Sequence, residues 1–117
     1  MKRILTTLLL AVSINGCATA MNDYEQQLQW VENADASADA NAALEKGDFR
    51  FMAMAQRGTV IPGVDANKMR QYELHCGVKF IEGATDAIRS DEQLRLMKKA
   101  FEYAGRYNKI IAERCKP

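Results

Sequence analysis

The stretch SDEQLRLMKKAFEYAGRYNKIIAERC, residues 90–115, decides how this chain folds. Ser90 followed three residues later by Gln93 forms a capping box, and Asp91 and Glu92 stand where the positive end of a helix dipole favours them. Leu94, Met97, Phe101, Ala104 and Ile111 then recur at three- and four-residue spacing toward Cys115, and Leu96, Tyr103, Tyr107 and Ile110 broaden the stripe. The spacing predicts one long amphipathic helix that organises the core. Its polar side carries Arg95, Lys98, Lys99, Glu102, Arg106 and Lys109, with Asp91–Arg95 and Glu102–Arg106 as expected i,i+4 ion pairs.

Working back from that helix, Val78 to Ile81 is a short apolar run, and Gly77 closes a helix expected over Asp65 to Cys76, with Met69, Tyr72 and Leu74 partly buried. Pro62-Gly63 marks a turn. Before it, Phe49, Phe51, Ala53 and Ala55 alternate with Arg50, Met52, Met54 and Gln56, the period of a strand. Ala42 to Ala55 can also be read as one helix-turn-helix of the tetratricopeptide kind, but no second copy follows at a fixed period. Ala40 to Lys46 has helix-forming composition and ends at Gly47, whereas Asp35 to Asp39 reads as a helical stretch or a linker. Asn22 or Asp23 can cap a first helix whose apolar side is Leu28, Trp30 and Val31. The expected fold class is therefore α+β and mostly helical, with a minor two-stranded βαβ-like sheet, right-handed if its strands are parallel, and the long C-terminal helix.

The amino end has a different character. Lys2 and Arg3 precede an apolar run of eleven residues, Ile4 to Ile14, which as a helix extends only about 16 Å and falls short of a bilayer core. Ile14-Asn15-Gly16-Cys17 follows directly and resembles the lipobox of bacterial lipoprotein precursors, with Asn15 an unusual occupant of its slot. The resemblance implies cleavage before Cys17, lipid on that cysteine and, with Ala18 next, sorting to the periplasmic face of a Gram-negative outer membrane. Residues 1–16 are then a signal peptide and 17–117 a single mature domain, 17–22 serving as tether. The competing reading cuts after Ala18-Thr19-Ala20 and releases a soluble periplasmic protein starting at Met21.

The 101 residues from Cys17 onward suffice for one core and not two. Seven acids face Lys46 alone from Cys17 to Phe49, a balance of −6, while residues from Arg50 onward carry +5. The near-neutral sum speaks against a nucleic-acid partner and for solvated or mutually complementary faces. With Cys17 assigned to lipid, Cys76 and Cys115 remain as an even pair in an oxidising space, so a disulfide is expected, with an intermolecular bridge or free thiols as alternatives.

Catalytic signals are sparse. His75, the single histidine, adjoins Cys76, but neighbouring helical side chains diverge by about 100°, which disfavours a nucleophile–base pair. A metal site of His75, Cys76 and Cys115 lacks paired-ligand spacing and competes with the disulfide. Asp65, Glu82 and Asp86 fall in loops where they could line a cleft, although turn and capping roles are their ordinary use. No cofactor motif occurs. The sequence thus reads as a non-enzymatic binding or accessory module of the cell envelope, held by lipid and open to an envelope protein partner; the alternative is a small periplasmic enzyme using the loop acids or His75.

Overall fold

The computed structural model describes residues 21–117; the signal-peptide run, the lipobox-like Cys17 and most of the tether lie outside the described residues. The architecture is α+β and mostly helical, with a small mixed sheet and the long C-terminal helix.

Helix α1, Asp23–Leu28, starts where the Asn22 side chain accepts a hydrogen bond from the Glu25 amide at 2.7 Å. A 3₁₀ turn, Gln29–Asn33, continues it and delivers Leu28 and Val31 to the core. The uncertain acidic segment is helical: α2 spans Ala36–Glu45, capped by the Asp35 carboxylate, which accepts from the Ala38 amide. Ala36, Ala40 and Ala43 are its buried positions, small enough to bring α2 close to the C-terminal helix. Gly47 at φ +79° ends it, with Asp48 N donating to Ala43 O and Gly47 N to Leu44 O, the two bonds of a Schellman cap. That cap fixes where Asp48 leaves the helix.

The alternating run is a strand, β1 (Phe51–Ala55), and Val78–Phe80 is β3. They pair in parallel, Phe51 opposite Val78 and Ala53 opposite Phe80. The sheet has one strand more than expected: β2, Thr59–Val60, folds back antiparallel on β1 across a turn containing Gly58, giving the order β2-β1-β3. The strand between β1 and its parallel partner's helix was too short to announce itself by alternation. The crossover from β1 to β3 runs through β2, a 3₁₀ turn at Ala66–Lys68 and α3, Met69–Cys76. Met69 and Tyr72 are partly buried as expected, but Leu74 is 70% exposed, because α3 turns Met69, Tyr72 and Cys76 toward the core, the Tyr72 ring meeting Phe51 edge-on at 4.9 Å.

Helix α4, Asp91–Arg114, has the predicted cap: Ser90 Oγ accepts from the Gln93 amide at 3.0 Å. Its buried seam is rotated from the centre of the expected one. Of the expected stripe, Leu96, Met97, Tyr103, Ala104, Tyr107 and Ile111 are buried, but Leu94 and Phe101 are exposed, and Gln93, Ala100 and Asn108, outside that stripe, are buried in their place. Two amides sit in this core because backbone groups meet them there. Asn108 donates to Met52 O (2.9 Å) and Pro62 O (2.8 Å) and accepts from Met52 N (2.7 Å), so its side chain continues the hydrogen-bond ladder of β1 where β2 has ended. Gln93 accepts from Arg89 N and donates to Ala87 O, pinning the loop before α4. Gly63, at φ +85°, lets the turn after β2 touch α4 at Gly105; a Cβ there would lie 2.5 Å from Gly105 O.

The surface pairs also differ. Arg95 binds Glu92 and reaches across to Glu32 on the 3₁₀ turn, instead of pairing with Asp91, and among the described residues Glu102 and Arg106 form no ion pair. A guanidinium can hold two carboxylates at once, and the long-range Glu32 contact fixes its rotamer on that side. None of the described helices is long and apolar enough to cross a membrane.

Candidate functional site

Helices α3 and α4 end at the same place. Cys76 is the last residue of α3 and Cys115 caps α4, and the two are joined by a disulfide with Cα atoms 6.2 Å apart. The bridge lies in the floor of an open groove of about 510 Å³, walled by the turn Gly47–Arg50 after α2, by His75, and by Arg114 and Lys116 on the outgoing chain. Three elements remote in sequence therefore converge here: the α2 cap, the α3 terminus and the α4 terminus.

His75 is exposed, yet its ring nitrogen comes within 4.8 Å of both cysteine sulfurs. Adjacent helical side chains diverge, and among the described residues no hydrogen bond joins His75 to Cys76; the three groups are neighbours because Cys115 approaches the last turn of α3 from the other helix. Asp65, Glu82 and Asp86 do not join them. Asp65 caps the 3₁₀ turn, its carboxylate accepting from the Asn67 amide at 2.9 Å; Glu82 is exposed on the loop after β3. Asp86 rims a separate apolar groove of about 250 Å³ among Met54, Ile88, Leu94, Met97 and Phe101. The loop acids thus form no common cleft with His75.

The cations around the groove have partners and a reason. Asp48 binds Arg50 Nε at 2.9 Å and Lys79 Nζ at 2.9 Å, and Lys79 also donates to the buried Tyr107 hydroxyl at 2.7 Å. Arg50, then Lys79, hold the Asp48 carboxyl well below the usual carboxylate range, against the opposing effect of burial. Burial pulls the Lys79 pKa down, but its hydrogen bonds to Tyr107 and Asp48 outweigh this and leave it raised. Arg114, the last residue of α4, and Lys116 just beyond its cap stand at the carbonyl end of the helix, where positive charge is favoured by the dipole. Nearby, Tyr103 donates to Asp39 at 2.6 Å, and burial first, then that carboxylate, pushes its phenol up.

The Asp48–Lys79–Tyr107 chain had no signature in the sequence, since its members lie on three elements with no shared spacing. Asn108 was equally hidden, being an apparently ordinary polar residue on an amphipathic helix. No protein-family model matches this chain, and neither the curated proteins nor the solved structures contain a significant match to it.

Proposed function

We propose that this chain is a small envelope lipoprotein, anchored through Cys17 to the periplasmic face of the outer membrane, whose mature domain is a binding or accessory module. The observation that carries the reading is the Cys76–Cys115 disulfide. A structural bridge of this kind persists in oxidising compartments, and it accounts for two of the three cysteines, the third being Cys17 at the lipobox-like position. The separation of Asp65, Glu82 and Asp86 from His75 favours binding over acid–base catalysis, and the groove above the disulfide is the concave surface on which the most chemically distinctive residues converge.

Cell fractionation tests the anchor. Wild-type protein is expected in the outer-membrane fraction with an acylated N-terminal Cys17, and Cys17→Ser in the soluble periplasm or left unprocessed, because the acyl acceptor is gone. A mature N-terminus at Met21, with membrane association indifferent to Cys17→Ser, would overturn the reading.

A further inference from the structure

We propose that His75, Cys76 and Cys115 constitute a redox-gated site for a thiophilic closed-shell cation, zinc(II) in the form tested below. The inference names a ligand class for the binding module proposed above and rests on that reading only in using the same groove; it does not need Cys17 to be anchored.

Four observations carry it. The imidazole nitrogen and the two sulfurs all lie within 4.8 Å of one another. In a tetrahedral zinc site, with metal–ligand bonds of about 2.0–2.3 Å, ligand atoms stand roughly 3.5–3.8 Å apart, so small side-chain rotations suffice once the sulfurs are released from each other. The Cα separation of 6.2 Å needs no backbone shift to leave both sulfurs facing one ion. Helices α3 and α4 both end at the bridged cysteines, and the partial negative charge of a helix's carbonyl end favours a cation over an anion there. Finally, the groove leaves a fourth position open to water or an exogenous ligand, the composition of an open Cys₂His site. The exposed Arg50, Arg114 and Lys116 weigh little against this, since two thiolates neutralise the ion and solvent screens the remainder.

The gate is the disulfide itself. A cellular dithiol transfers two electrons and two protons to the bridge, becoming a disulfide while Cys76 and Cys115 become thiols. Zinc(II) then displaces the two thiol protons, forming two Zn–S bonds and one Zn–N bond to His75. A disulfide oxidant reverses the sequence: it accepts two electrons from the two thiolates and two protons from solvent to become a dithiol, while the Cys76 and Cys115 sulfurs rejoin and release the ion.

The test uses the full chain carrying Cys17→Ser, so that only two thiols can respond, reduced with a phosphine and titrated with Co²⁺ as the spectroscopic substitute for zinc. The expected result is one equivalent bound, with near-ultraviolet thiolate-to-cobalt charge-transfer absorption and visible bands of tetrahedral intensity, both abolished by equimolar Zn²⁺ and absent from the oxidised protein. His75→Ala, which keeps the disulfide and hence the fold, is expected to weaken Co²⁺ binding about tenfold or more after reduction. Charge-transfer bands unaffected by His75→Ala, or no bands in a reduced chain that keeps its helical circular dichroism, refute the site. A reduced chain that loses its helical signal and does not recover it with Co²⁺ refutes it too. None of these outcomes bears on where Cys17 places the protein, so the two proposals fail separately.

Discussion

Replacing Asn108 by Ala should be among the most damaging single changes on α4, although the residue is polar. Its side chain is fully buried and makes three hydrogen bonds, two to the Met52 backbone and one to Pro62 O. Truncation strands the Met52 N–H in a place that water reaches poorly and leaves two carbonyls short of a donor. Each buried group left unpaired costs about 1–3 kcal/mol, and the stranded N–H, with no second option, lies at the upper end of that range. Allowing for partial compensation by an entering water, the loss should be about 3–4 kcal/mol. A domain of this length has a total stability of about 5–15 kcal/mol, so the variant would retain its fold with a much reduced margin. In urea, with a slope near 1.5 kcal/mol/M, the midpoint should fall by roughly 2 M, whereas Lys109→Ala, exposed one residue away, should stay within about 0.5 kcal/mol of wild type. If Asn108→Ala loses less than about 1 kcal/mol at unchanged slope, the amide does not act as a continuation of the β1 ladder and the account of the core is wrong.

Two further outcomes follow from the site's surroundings. The Asp48 carboxyl has a depressed folded-state pKa, so its contribution to stability is complete above the ordinary carboxylate value near 4 and fades as pH falls below it; melting temperature against pH should therefore drop on the acid side, and Asp48→Asn should be less stable at neutral pH with a flatter acid limb. A parallel displacement of the two curves would show that Asp48 is not the titrating group. The bridge between Cys76 and Cys115 spans 39 residues, for which loop-closure entropy gives about 4 kcal/mol, so Cys115→Ser should lower the melting temperature by more than about 15 °C, and non-reduced peptide mapping of the wild type should recover the two cysteines linked. Free alkylation of both in native, unreduced protein would contradict the pairing.

The parts of the fold that were legible in the sequence are those encoded by neighbours along the chain. Ser90 and Gln93 announce the start of α4, Gly47 the end of α2, and the alternation around Phe51 a strand, because caps and periodicities are local devices. The disulfide was legible by counting. The rotation of the α4 seam was not: Leu94 and Phe101 look like core and Gln93 and Asn108 like surface until the backbone at Met52, Pro62, Ala87 and Arg89 is in place to satisfy the amides. A two-residue strand such as Thr59–Val60 is likewise defined by its partner and carries too few residues to show a period. At the site, the meeting of His75 with both sulfurs depends on two helix ends arriving together, and the angle between adjacent residues on one ideal helix says nothing about that.

The placement of the chain's two ends along α4 gives the molecule a direction. Asn22 contacts Gln93 and Glu25 accepts from Ser90, so the chain enters beside the first turn of α4, while the groove over Cys76 and Cys115 stands at the other end. The 24 residues of α4 extend about 36 Å as a helix, a rod somewhat longer than a bilayer's hydrocarbon core is thick. Under the amino-end anchor proposed above, α4 would act as a stalk with the groove at the end far from the point of entry. Lengthening the segment before Asn22 would add slack, but the stand-off of the tip from the point of entry is set by the rigid helix.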